Sequence, residues 1–431
     1  MFDRISSYVK SVAASSPFLR HVLTLVTGTA LAQMVVFFMM MIITRLYGRE
    51  ALGELGTFNS IVAIAVAIAA GRYDMALMLE KDDRDAKVVA MLALRLIAIN
   101  SLVITVLAFP LRDVVANLYS ESVASWMPLA GLTTFFMAGA TLFQYWYNRK
   151  TDYKTIAKNR VVQQVGTSSG QVVFGWAGIH TLPGLVGGQI VGQAYAFFNL
   201  GIRAKDLRTL DASGARPMRK LARKHWKMPV LNGPNVLIDA VRNNGINLLI
   251  GRVSIGDFGE YNIANQVVNV PVMLINSAVS QVFFQKLSTI EPGQMLPEVK
   301  NVIKRAILIG VVPFALLWLV APWLLPILFG EDFSQSGYFA RALIPWMAML
   351  LITSPISTMF VVTGTQHWLL IYSILYTIGP LAWLLLSPLD LLGTIYVMGA
   401  IMAAFLVAMT IMSLFAASRF DRHEITTEDS L

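Results

Sequence analysis

The sequence predicts an all-α, polytopic membrane protein with twelve transmembrane helices, and three observations carry that expectation. First, 56% of the 431 residues are apolar and only 14% are charged, whereas a soluble domain carries about 25% charged residues. Second, the apolar residues gather in long runs. A hydrocarbon core of about 30 Å needs about 20 helical residues, because each rises about 1.5 Å. Third, Lys and Arg fall overwhelmingly on one side of those runs. The composition also excludes a disordered chain, and the lack of cysteine excludes a disulfide scaffold or a thiolate metal site.

Taken in order, the expected spans are 22–44, 55–79, 88–110, 123–147, 159–179, 182–202, 228–251, 258–284, 302–329, 337–363, 367–387 and 391–417. The first run is too long for a signal-peptide core and reads as a retained helix. The seventh and eighth are unusually polar. None alternates with period two, which excludes the strands of an outer-membrane barrel. With both termini on one face, that face collects 26 Lys and Arg, including nine between Arg203 and Lys227. The opposite face has Arg45, Arg49, Arg112, Arg252 and Arg341. The positive-inside rule then places both termini in the cytoplasm. Most of the formal net charge of +9 is therefore a topology signal, and nucleic acid is not needed to explain it.

The chain divides in the middle. Residues 1–202 form an N-terminal set of six spans, 203–227 a basic cytoplasmic linker, 228–417 a second set of six and 418–431 a cytoplasmic tail. The halves echo one another. Leu52-Gly53-Glu54-Leu55 follows span one and Phe258-Gly259-Glu260-Tyr261 follows span seven. Leu118-Tyr119-Ser120-Glu121 precedes span four, as Leu328-Phe329-Gly330-Glu331 precedes span ten. Duplication of a six-helix unit keeps both halves in the same orientation, as in parallel repeats.

Several chemistries are excluded by what is missing. There is no Gly-x-x-x-x-Gly-Lys-Ser/Thr, so no P-loop ATPase is expected within the chain. The outward loops are too short for an extracytoplasmic catalytic domain, and the five histidines show no metal-ligand spacing. No enzyme activity, cofactor or metal is expected.

Ionisable side chains inside spans cost about 2.5–3.5 kcal/mol each and usually face a cavity or a partner. The candidates are Arg72 and Asp74 in span two, Arg95 in span three, and Asp239 and Arg242 in span seven. Arg72 and Arg95 both lie about 10–12 Å from the cytoplasmic end of their helices, which are expected to be antiparallel neighbours. Two readings follow: a neutralising salt bridge through Asp74, or a cationic cavity wall. Span seven carries Asn232, Asn235, Asp239, Arg242, Asn243 and Asn247 on one face, span eight Asn262, Asn265, Gln266, Asn269, Asn276 and Ser280, and span five Arg160, Gln163, Gln164, Thr167 and Gln171. These faces read either as interhelical hydrogen bonding or as the lining of a polar lumen. Asn232-Gly233-Pro234-Asn235 and Pro271 mark helix breaks, structural kinks or hinges. The basic loops serve topology, with a further reading as a surface for anionic headgroups or a lipid-carried pyrophosphate.

These residues carry a family resemblance. Thr44-Arg45-Leu46-Tyr47-Gly48, Arg72-Tyr73-Asp74-Met75-Ala76-Leu77 before Asp82-Asp83, the basic stretch Asn148-Arg149-Lys150 through Arg160, and Gly184-Leu185-Val186-Gly187-Gly188 together resemble polysaccharide flippases of Wzx type. So do Gly256-Asp257-Phe258-Gly259-Glu260-Tyr261 and Ser280-Gln281-Val282-Phe283-Phe284. Such proteins belong to the multidrug/oligosaccharidyl-lipid/polysaccharide exporter (MOP) superfamily. The resemblance implies two pseudo-symmetric six-helix lobes around a central cavity. It also implies ion-coupled translocation of an undecaprenyl-pyrophosphate-linked oligosaccharide (an O-antigen, capsule or exopolysaccharide repeat) across the bacterial inner membrane. On that basis Arg72, Arg95 and Arg242 are expected to meet pyrophosphate or acidic sugar groups. Asn235, Asn243, Asn265, Asn269, Gln163 and Gln281 would line the path, and Asp74 or Asp239 would couple the ion. Membrane lipid and the polymerase and chain-length regulator of the same glycan pathway are the implied partners. The competing reading is a multidrug cation antiporter of the same superfamily. Arginine outnumbers aspartate within the spans, which does not suit cationic cargo.

Overall fold

All twelve expected spans are occupied by long helices in the computed structural model, which describes residues 17–209, 211, 213–287, 293–357, 359–363 and 365–428. In chain order they are α1 (Pro17–Leu46), α2 (Arg49–Ala69), α3 (Asp83–Ala108), α4 (Pro128–Arg149), α5 (Tyr153–Trp176) and α6 (Leu182–Arg203). There follow α7 (Gly233–Val253), α8 (Ile255–Leu287), α9 (Met295–Phe329), α10 (Ser336–Ile356), α11 (Gln366–Leu386) and α12 (Leu391–Glu428). No strand occurs among the described residues. Helices α1, α2, α3, α9, α10 and α12 are long and apolar enough to cross a membrane on length and composition alone. The chain is thus an all-α polytopic membrane protein. It forms two compact units, residues 1–259 and 260–431. The boundary falls inside α8, because α7 packs along α2.

In the first unit α5 lies against α1 and α6, and α4 against α3 and α6. The α5–α6 contact is close because both faces are glycine. Gly166 and Gly170 on α5 meet Gly192 and Gly188 on α6, and a Cβ at Gly188 would lie 2.3 Å from the Gln171 backbone nitrogen. Small residues four apart let two backbones approach where lipid offers no hydrophobic driving force. Tyr47, fully buried, fastens α1 to this pair by donating to the Gln171 carbonyl at 2.8 Å.

The echoed motifs of the two halves touch each other. A Cβ at Gly53 would collide with the Ile255 carbonyl oxygen, and one at Gly259 with the Arg49 carbonyl oxygen, 2.0 Å away. Each glycine meets the residue four positions before the other, so the contact is reciprocal about a local two-fold. Arg49 and Asp257 add an ion pair of 3.8 Å beside it. The motif glutamates behave alike within their own units. Glu54 accepts from Ser120 Oγ (2.8 Å) and Ser122 Oγ (2.9 Å). Glu260, fully buried, accepts from the Gln335 backbone N–H at 2.6 Å. In both cases a carboxylate sits beside the segment that opens the fourth helix of its half.

Span two departs from a single continuous helix. α2 stops at Ala69; Gly71 (φ 55°) and Arg72 (φ 61°) are left-handed, and a short helix, Tyr73–Ala76, follows. Glycine tolerates that conformation freely, and ends helices for that reason. A non-glycine residue such as Arg72 adopts it rarely. The depth assigned to Arg72 along one unbroken helix is therefore corrected: Arg72 heads a separate short helix. Span seven opens on a π turn, Met228–Asn232, where Pro229 and Pro234 remove backbone donors.

In the second unit α9 packs on α10 and α12, and α10 on α12. Pro322, inside α9, removes the N–H that would have served the Trp318 carbonyl four residues earlier. Arg341 on α10 replaces it, donating Nε to Trp318 O at 2.6 Å and Nη2 to Leu319 O at 3.1 Å while lying over the Trp318 ring. The start of α9 is capped from the far end of the unit. Asp421 on α12 accepts from the backbone N–H groups of Gly293 (3.1 Å), Met295 (3.1 Å) and Leu296 (2.9 Å).

The basic linker is docked on the first unit through Glu80, between α2 and α3, and Asp85, in the first turn of α3. Glu80, whose side chain is 1% exposed, accepts from Lys224 Nζ at 2.7 Å and pairs with His225 Nε2 at 2.6 Å. Asp85, also buried, holds Arg216 at 2.8 Å. Burial alone would raise the Glu80 carboxyl, but the hydrogen bonds from Lys224 and His225 outweigh it and hold the group below its ordinary 4.5. The resulting stabilisation is present above that value and is lost as pH falls through the lowered one. Removing one member of a buried ionic cluster costs about 3 kcal/mol. Glu80→Ala is accordingly expected to speed trypsin cleavage of 205–227 by about 100-fold. Acidification through the lowered value should release the wild-type linker in the same way, read as faster amide hydrogen exchange over 205–227 after correction for intrinsic rates.

Candidate functional site

Two helix faces of the first unit converge on a polar cavity of about 230 Å³ lined by Thr141, Gln144, Tyr145, Asn148, Tyr153, Ile156 and Arg160. On α4 the lining residues recur at offsets of three, four and seven, one helical face. On α5 they recur at three and seven. Two phenols, two amides, a hydroxyl and a guanidinium point into one space, and none of the lining residues is acidic. Arg160 is steadied by a hydrogen bond from Nη1 to Thr29 Oγ1 on α1 at 2.9 Å. Beyond the lining, Tyr145 lies within electrostatic reach of both Asp74 and a second guanidinium, Arg72. Arg72 in turn donates Nε to Asn232 Oδ1 at 2.9 Å and contacts Met75 Sδ. The break after α2 is what turns Arg72 toward Tyr145 and Asn232. The result is a pocket rich in donors, suited chemically to hydroxyl-bearing and anionic groups.

The mouth of α4 is ordered by the basic stretch noted in the sequence. Arg149 donates to Asp83 Oδ1 at 2.8 Å and to the Lys81 carbonyl at 3.1 Å, and it reaches the Glu80 carbonyl as well. Lys150 Nζ meets Asp83 Oδ2 at 2.6 Å. Hydrogen bonds from Lys150 and Arg149 hold the Asp83 carboxyl below its usual range. Two of the motifs that suggested the family therefore touch one another.

The remaining sequence candidates scatter. Arg95 is exposed on α3 with Nη1 3.4 Å from Met218 Sδ of the linker, so it is not part of the cavity wall around Arg72. No salt bridge joins Asp74 to Arg72 or Arg95 among the described residues. Asp74 is 6% exposed, and its Oδ1 has no hydrogen-bond partner there. Asp239, by contrast, is paired with Arg242 at 2.9 Å. Asn235 and Asn243 are exposed on α7. Gln163 donates to Gln193 at 2.5 Å, which makes it a link between α5 and α6. Asn265 and Asn269 lie on α8 in the second unit, where Asn265 Oδ1 is buried without a partner among the described residues. The Gln281 side chain falls outside the described residues. The expected list omitted Thr141, Gln144, Tyr145, Asn148 and Tyr153, although the spacing of α4 already placed four of them on one face.

The fold is that of the MOP-superfamily transporters. The lipid II flippase MurJ, in an inward closed conformation, superposes with a TM-score of 0.75 over 94% of this chain and 91% of that one, at 10% identity. An inward-facing multidrug resistance transporter of the MATE family gives 0.63 over 91% and 96%, at 17% identity. A MOP superfamily transporter from Pyrococcus furiosus gives 0.61 over 93% and 96%, at 15% identity. No curated protein matches in sequence. Residues 42–337 match the family described as polysaccharide biosynthesis protein, and the chain belongs to that family. Family and fold both agree with the resemblance read from the sequence.

Proposed function

We propose that this protein is a flippase that carries an undecaprenyl-pyrophosphate-linked oligosaccharide across the bacterial inner membrane, with both termini in the cytoplasm. The observation that carries the proposal is the acid-free cavity between α4 and α5, in which Arg160 and Tyr145 stand together with Arg72 behind them. Its amides, phenols and hydroxyl suit sugar hydroxyls, and the Arg160 guanidinium, with Arg72 behind it, suits pyrophosphate or an acidic sugar. The polyprenyl tail stays in lipid while the glycan crosses. The protein performs no covalent chemistry in this reading. Transport is by alternating access, and the reciprocal Gly53–Gly259 contact, on the outer face by the charge distribution, is the closed outer clasp. Asp74 is the better candidate for ion coupling, because Asp239 already has Arg242 as partner.

Complementation tests this directly. Expression in a strain lacking its own O-antigen flippase is expected to restore surface glycan. Drug resistance with no glycan would instead support the cation antiporter and remove the flippase. Recovery of the glycan polymerase or chain-length regulator with the tagged protein would extend the proposal to the pathway partners.

A further inference from the structure

The cations of the linker are sorted onto two faces. Lys224, His225 and Arg216 point inward to the buried acids Glu80 and Asp85. On the short helix Met218–Lys224, Leu221 is fully buried, while Arg219, Lys220 and Arg223 project from an exposed arc of about 100°. Trp226 (48% exposed) and Lys227 extend that arc immediately before the π turn that begins span seven. Arg219, Lys220, Arg223 and Lys227 make no ion pair among the described residues, and no acid occurs between Asp211 and Asp239. An aromatic ring at the foot of a span, flanked by cations, has the chemistry of the membrane–water interface.

We propose that this outer face of the linker docks on anionic phospholipid headgroups of the leaflet from which span seven starts. Topology requires positive charge in the linker, but it does not require a folded helix with its cations divided between buried acids and one exposed arc. The Glu80 cluster holds the arc in place, so the headgroups meet a preformed surface rather than a mobile tail. The inference rests on the orientation of the chain and not on its cargo.

Purified wild-type protein in phosphatidylcholine vesicles, probed with spin-labelled phosphatidylglycerol and spin-labelled phosphatidylcholine, is expected to retain the anionic probe about fivefold or more over the neutral one. The variant R219Q/K220Q/R223Q/K227Q should lose most of that preference and keep its thermal unfolding midpoint, because the contacts to Glu80 and Asp85 are untouched. The control K154Q/K158Q removes exposed charge from the first turns of α5, on the same face, and should keep the preference. Raising the salt on wild-type protein should collapse it without any substitution. Equal retention of the two probes by wild-type protein, or equal loss in the control, would overturn the proposal. Inorganic pyrophosphate that abolishes the preference at a concentration too low to change the ionic strength would also overturn it, reassigning the face to a soluble phosphate group. A failure of glycan export to complement would leave these lipid measurements unaffected, so the two readings fail separately.

Discussion

Cysteines replacing Arg49 and Gly256 are expected to form a disulfide in membranes under mild oxidation, and to stop glycan export while it is intact. A Cβ at Gly256 would lie 3.6 Å from Arg49 Cγ, about where the sulfur of a cysteine at 49 would stand. That approach puts the two side chains beside one another, where a small local shift lets the thiols join. The chain has no cysteine of its own, so the background is empty. The bond would tie α8 to the start of α2 at the reciprocal glycine contact. If the contact must part for the outer side to open, the cross-linked protein is inactive and a reductant restores it. Export at the full rate by fully cross-linked protein would show that the contact is static and would remove the outer clasp from the mechanism. The single variants serve as controls, since neither introduces the bond.

Arg160→Ala and Arg72→Ala are each expected to lower export by at least about 10-fold at unchanged protein level, since a hydrogen bond to a charged group contributes about 1.5–3 kcal/mol. Lysine at either position should keep part of the activity. It preserves the charge but not the forked geometry that matches phosphate or carboxylate. Arg95→Ala is the contrast. Its guanidinium lies against Met218 and outside the cavity, so export should remain close to wild type. The assays are surface-glycan staining against an immunoblot of the membrane fraction. The opposite ranking, with Arg95 essential and Arg160 dispensable, would sink the assignment of the cavity.

Much of the fold was legible because lipid imposes a simple ruler. Spans such as 88–110 and 302–329 announce themselves by apolar length, and α3 and α9 cover them. The echoes Leu52–Leu55 and Phe258–Tyr261 were legible as strings. What they do was not, since a reciprocal contact between two glycines depends on how helices distant in sequence meet. The same holds for Glu54 and Glu260. The break after Ala69 was also missed, because Arg72 and Asp74 read as charged residues inside a span and not, together with Gly71, as its interruption. That error carried over to Arg72 and paired it with Arg95 at a common depth. Span five shows a different limit. Its polar residues suggested a lumen, yet Gln163 is bonded to Gln193 and Gln171 donates to the Leu185 carbonyl, whereas Arg160 of the same helix does face a cavity. Helical period says which residues share a face, and only the neighbouring helix decides whether that face is filled. The lining residues of α4 were readable by spacing but carry little charge, and attention to ionisable groups passed over them.

The cap that Asp421 places on α9 has a consequence for the order in which the protein is made. The backbone N–H groups of Met295 and Leu296 leave the ribosome more than a hundred residues before the carboxylate that satisfies them. At bacterial rates of about 5–20 residues per second, that interval is on the order of ten seconds. During it the start of α9 has only water, or whatever protein attends the nascent chain, to meet its free donors. The second unit can therefore complete itself only after α12 has been synthesised, which makes its assembly a late event however early α9 is threaded into the bilayer.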